Sequence, residues 1–179
     1  AQYCAQYTVD SVKEMSSIQA TRAAYKKCGK DPSRYRPSGE ALCRRILRGM
    51  ELYQIDSLVD LINLAAIASV YSIGGFDADK ISGSSLTLGI GAAGEPYEGI
   101  GRGPLNIEGM PVYRDAIGGI GTPTSDHERT KLSLDTKRVL IIVNGYDGNA
   151  ASVAATLGHL RSLLAAHCSA NDFQIISFE

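Results

Sequence analysis

Apolar positions recur at helical spacing in three stretches before residue 72. Val12, Met15 and Ile18 share one face, with Asp10 or Ser11 as cap and Gly29 as stop; this predicts a helix over 9–28. Leu42, Cys43, Ile46 and Leu47 form an apolar stripe after Ser38, a cap candidate, and before Gly49, which stops a second helix. Between them "GKDPSRYRPSG" reads as a loop, broken by Pro32 and Pro37. A third helix starts from Asp56 and runs to about Tyr71, with Gly74-Gly75 as its end. From about residue 84 the pattern changes to glycine-rich sequence with short β-type runs, "SLTLGI" and "PVYRD". The uninterrupted run Val139 to Val143 predicts a strand buried on both faces. Asn149 can cap a helix over 150–168, with Val153, Leu157, Leu160 and Leu164 on one face, and "FQIISF" predicts a closing strand. Helices first, a β-rich middle, then strand–helix–strand argue for an α+β or mixed α/β fold.

Composition narrows the class. A chain of 179 residues, 44% hydrophobic and 21% charged, is the size of one domain, or of one domain with a helical attachment. The longest apolar stretch, "LVDLINLAAIASVYSIGG", is interrupted by Asp60 and Asn63 and reads as a buried helix, so no membrane partner is expected. Cys4, Cys28, Cys43 and Cys168 have neither C-x-x-C nor zinc spacing. Scattered thiols of this kind are expected to stay reduced, which points to the cytoplasm, and no metal is expected. The net charge of −1 hides an asymmetry. Arg22, Lys26, Lys27, Lys30, Arg34, Arg36, Arg44, Arg45 and Arg48 lie within 22–48, where only Asp31 and Glu40 oppose them. Such a basic zone attracts phosphates, or simply forms solvated helix faces.

Two motifs invite chemistry and resist it. Gly89, Gly91 and Gly94 spell G-x-G-x-x-G, but "EPYEGIGRGP" follows, and its prolines and glycines leave no helix to receive a pyrophosphate. A turn between strands is expected there and no nicotinamide cofactor. In "GTPTSDHERTK" (121–131), Ser125, Asp126 and His127 are consecutive, so their side chains diverge and form no triad. His159 and His167 fall off the apolar stripe of the long helix and read as surface residues.

The segment "SLVDLINLAAIASVYSIGGFDADKISG" (57–83) resembles the core of the B3/B4 domain of the phenylalanyl-tRNA synthetase β subunit. Val59, Asp60, Leu61 and Asn63 fit its helix motif, and Phe76, Asp77 and Asp79 its Phe-Asp-x-Asp segment. "GAAGEPYEGIGRGPLNIEGMPVYRD" is similar to the family's turn, glycine-rich hairpin and Val-x-x-Asp strand, and Thr136, Val139 and Leu140 fit a further segment. Free-standing B3/B4 proteins also carry an N-terminal helical part and a Pro-Thr-Ser-Asp-x-Glu-Arg-Thr-Lys run, here Pro123 to Lys131.

The resemblance implies a three-layer β/β/α fold, with residues 1–50 as a helical part packed on a B3/B4-like unit spanning 51–179. In the synthetase this domain hydrolyses wrongly esterified tRNA. Its editing histidine falls on Gly74 and its glutamate on Ile142, so neither side chain is present and the catalytic residues are not defined. Arg114, Asp126, Arg129 and Thr130 are the polar candidates for an equivalent pocket. Lys26, Lys27, Lys30, Arg34, Arg36, Arg44, Arg45 and Arg48 are the candidates for contacting RNA. The implied partner is tRNA or aminoacyl-tRNA, without cofactor. Two readings stay open: a trans-acting aminoacyl-tRNA deacylase, and a binding module that has lost the editing residues.

Overall fold

The computed structural model of the chain describes residues 5–178. Cys4 lies outside them. Helix α1 spans Ser16–Lys27, α2 Ser38–Leu47 and α3 Ser57–Ser69. The first helix is shorter than its pattern predicts. A 3-10 turn takes Ser11–Glu14, and Met15 is extended at ψ 132°. The break has a packing reason. Val12 and Ile18 both bury beside Cys43, yet residues six apart in a continuous α-helix point about 120° away from each other.

At α2 the cap is not Ser38, which is already helical; Pro37 holds the cap position. Its first amides find tertiary partners instead. Ser38 N–H donates to Pro123 O at 2.8 Å, and Gly39 N–H to Ser72 Oγ at 3.1 Å. Asp56 does cap α3, accepting from Val59 N–H at 2.9 Å. The helix ends at Val70, in the left-handed region at φ 65°, and not at Gly74-Gly75. Those two glycines lie inside strand β1, Ser72–Asp77. The strand runs so close to α3 that a Cβ on Gly75 would fall 2.8 Å from Ile62 Cδ1.

Strand β2 is Thr87–Ile90, β3 Glu98–Gly99, β4 Gly103–Pro104, β5 Pro111–Arg114, β6 Gly119–Gly121 and β7 Val139–Asn144. β1 pairs antiparallel with β7, β2, β5 and β6 form a second sheet in that order, and β3 with β4 a small hairpin. Helix α4 covers Ala150–His167, and its Asn149 cap accepts from Ser152 N–H. This is an α+β fold.

Alternation along β1 and β7 sorts the layers. Ile73, Gly75, Ile141 and Val143 point one way, toward a core that includes Ile62, Ala65 and Ala66 of α3 and Leu160 of α4. Ser72, Gly74, Phe76, Ile142 and Asn144 point the other way, toward the three-stranded sheet. There Tyr113 Oη donates to Asn144 Oδ1 at 3.0 Å, and the Phe76 ring lies under Gly121. Tyr25 of α1 packs with Tyr97, Ile107, Met110 and Val112.

Two strand expectations need correction. β7 is not buried on both faces. It pairs only with β1 among the described residues, and most of it is half-buried, with Val139 exposed. "FQIISF" forms no strand: residues 169–178 have no regular structure, and Ile175, Ile176 and Phe178 are exposed. Its β propensity meets no neighbouring strand, and propensity without pairing does not make a strand.

Candidate functional site

The register of β1 on β7 pairs Gly74 directly with Ile142. The two positions singled out by the synthetase resemblance are therefore cross-strand neighbours, facing the inter-sheet space. Asp126 enters the same space. An ideal Cβ on Gly74 would lie 2.9 Å from Asp126 Oδ1 and 2.8 Å from the Phe76 ring. Any side chain at position 74 collides with these two groups, so the carboxyl of Asp126 and the ring of Phe76 fill the volume that it would need.

Local chain geometry holds Asp126 there. Thr122 and Ser125 close a tight turn: Thr122 N–H donates to Ser125 O, and Thr122 Oγ1 accepts from Thr124 and Ser125 N–H. The chain then doubles back on β6, with Gly121 opposite Asp126 and His127 N–H donating to Ile120 O. Asp126 Oδ2 accepts from Gly75 N–H at 3.1 Å. Burial pushes its pKa up from 3.8 to about 7, and the Gly75 amide offsets only part of that. The residue nevertheless keeps a partly solvent-open surface.

Its sequence neighbours do other work. Ser125 Oγ donates to the carbonyl of Asp126, and His127 Nδ1 caps the 3-10 turn Glu128–Thr130 by accepting from Arg129 N–H. With Nδ1 occupied as acceptor, neutral His127 carries its proton on Nε2. Burial and the Arg129 charge lower its pKa. His127 also meets Tyr97 edge-on at 4.9 Å. Burial and Asp126 both raise the Tyr97 pKa, and its hydroxyl donates to Ser125 O.

Arg114 and Arg129 are held apart from Asp126 by their own partners. Arg114 grips Glu95 through two nitrogens, at 2.7 and 2.6 Å. Arg129 grips Asp115, also through two, both at 2.9 Å. Burial tends to raise the Asp115 pKa, but Arg129 and three backbone amides override it and hold the carboxyl well below the usual range. Thr130 is fully buried, and its hydroxyl finds no hydrogen-bond partner among the described residues. Arg114, Asp126, Arg129 and Thr130 therefore do not share one set of contacts. Phe76, Tyr97 and Gly121 are the neighbours of Asp126 that the sequence did not offer as candidates. The signal for Phe76 was present in its Phe-Asp-x-Asp context.

The basic zone divides as well. The buried carboxylate of Glu40 takes Arg22, Arg36 and Arg44 at 3.0, 3.6 and 2.8 Å. Arg45 donates to Glu51 O and stacks on Tyr53, and Lys30 is buried. Lys26, Lys27, Arg34 and Arg48 are exposed. His159 and His167 are exposed on α4, Cys28, Cys43 and Cys168 carry thiols, and no metal-binding cluster of His, Cys, Asp or Glu occurs among the described residues.

A family model of the B3/4 domain matches residues 20–167. The chain belongs to the B3/4 domain family. The match takes in most of α1 and all of α2 as well as the sheets. No curated protein and no solved structure matches the chain. The segment Phe76 to Asp79 has a visible structural use in this B3/4 domain. Phe76 fills the inter-sheet space, while Asp77 accepts from Thr136 Oγ1 at 2.9 Å and pairs with Lys80, tying the end of β1 to the approach to β7. No helix among the described residues is long and apolar enough to cross a membrane.

Proposed function

We propose that this B3/4 domain protein is a trans-acting deacylase that hydrolyses the ester between an amino acid and tRNA in the cytoplasm, with Asp126 as general base. One observation carries the reading. A carboxyl with a pKa near 7 stands against Gly74, which pairs with Ile142; by the resemblance, these are the two positions that carry the editing side chains in the synthetase domain. Ionised Asp126 takes a proton from a water as that water attacks the ester carbonyl carbon. The tetrahedral intermediate then collapses, the ribose oxygen leaves and is protonated, and free amino acid is released. A pKa near 7 suits a base working near neutral pH. Phe76 and Tyr97, both buried, pack beside Asp126 and keep its surroundings apolar. Exposed Lys26, Lys27, Arg34 and Arg48 supply charge for the phosphate backbone.

A second reading has its own observation. Gly74 and Ile142 carry no reactive group, which favours a module that binds the aminoacyl end without cleaving it. A panel of mischarged tRNAs separates the two. The deacylase reading expects at least one ester to be cleaved, and Asp126→Asn to slow cleavage at least ~100-fold, the usual contribution of a positioned base. Intact esters across the panel, with the tRNAs still bound, favour the module.

A further inference from the structure

A cleft of about 660 Å³ opens between the turn that follows α1 and the glycine-rich segment around residues 90–109. Lys30 lies in its wall and is only 7% exposed. Its Nζ donates to Asn106 O at 2.8 Å and sits 3.8 Å over the ring of Tyr35. The guanidinium of Arg34, at the surface, is 5.6 Å from the same ring. Neither cation has a carboxylate within 4 Å among the described residues. Asp31 Oδ1 is occupied by Ser33 N–H, and Glu108 is exposed on the opposite wall.

A covered ammonium whose contacts are a carbonyl and a ring is expensive to maintain. Burial lowers the Lys30 pKa, Glu108 restores part of it and Arg34 lowers it again. A methionine would cover Tyr35 without that cost. A lysine held there, next to a second unneutralised cation, fits an anion that completes both.

We propose that this cleft is an oxyanion site that takes one phosphate group, held jointly by Lys30 and Arg34. Phosphate presents several oxygens and reaches two cations at once, whereas Glu108 and Asp31 repel a second anion and limit the site to one. The group belongs either to an RNA backbone or to a small phosphate ester. The site does not depend on the deacylase reading, because it uses none of the contacts of Asp126.

Two measurements on the full chain test it. The first follows the Lys30 ε-methylene NMR signal, assigned by through-bond correlations in the wild type, as inorganic phosphate is added to millimolar concentration. The second compares the salt dependence of tRNA binding for the wild type and Arg34→Gln, a change on an exposed side chain. If RNA supplies the phosphate, Arg34→Gln lowers the slope of log K against log salt by about 1. If a small ester does, the slope holds while the Lys30 signal moves with phosphate. An unmoved Lys30 signal together with an unchanged slope overturns the site. The Asp126→Asn variant should pass both measurements as the wild type does, so failure here is distinguishable from failure of the deacylase.

Discussion

A carboxyl group ordinarily ionises near pH 4, and burial pushes that of Asp126 up to about 7. Between those two values the folded protein holds a proton that the unfolded chain has released. Stability therefore falls as pH rises through that window and levels off above about 7. Asn keeps the shape and an acceptor for Gly75 N–H but does not titrate. Asp126→Asn should match the wild type near pH 4 and exceed it by about 4 kcal/mol at pH 8, read from urea unfolding at both pH values. An equal effect at both would mean that the carboxyl is not shifted. The sequence offered Asp126 as a candidate but not its surroundings. Its contacts with Gly74, Gly75 and Gly121 depend on register and sheet stacking, which local sequence does not encode. Arg114 and Arg129 stood beside Asp126 as pocket candidates because Glu95 and Asp115, their partners, lie 19 and 14 residues away.

At the scale of elements, capping and periodicity were legible where they act locally. Asp56 and Asn149 cap the helices expected of them. Strand β1 was not legible, because Gly74-Gly75 has the look of a helix stop, and only tertiary neighbours explain the glycines inside a strand: Asp126 and Phe76 at Gly74, Ile62 of α3 and Leu132 at Gly75. Glu40 links α1 to α2, binding Arg22, Arg36 and Arg44. Glu40→Ala leaves three guanidinium groups crowded together without their counter-charge and should cost about 3 kcal/mol in urea unfolding, as breaking a buried pair does. The segment 173–178 is the opposite case. Replacing Ile175, Ile176 and Phe178 by Ser should move stability by less than about 0.5 kcal/mol per position in the same measurement, because exposed apolar groups contribute little. A larger loss would mean that the segment packs on the rest of the chain.

For the whole molecule, net charge describes the surface poorly. More than half of the basic zone faces Glu40, a carbonyl or a ring, and the exposed remainder is Lys26, Lys27, Arg34 and Arg48. If tRNA rests on that remainder, Lys26→Gln combined with Lys27→Gln should lower the salt slope of binding by about 2, while Arg45→Gln, on a side chain committed to Glu51 and Tyr53, leaves it unchanged. Filter binding over a range of salt concentrations reads both. The order of helices, β-rich middle and final helix was visible in the sequence, and the α+β class followed from it. The layering was not, because it depends on which faces of β1 and β7 meet α3, α4 and the second sheet.

The proposed chemistry rests on one ionising carboxyl in the inter-sheet space. The most direct test is the pH dependence of single-turnover hydrolysis of a susceptible mischarged tRNA. The rate, corrected for spontaneous deacylation, should rise with pH and level off with an apparent pKa near 7, and Asp126→Asn should remove both the step and most of the rate. A rate that is independent of pH between 5 and 8, or that survives in Asp126→Asn, would contradict Asp126 as the base.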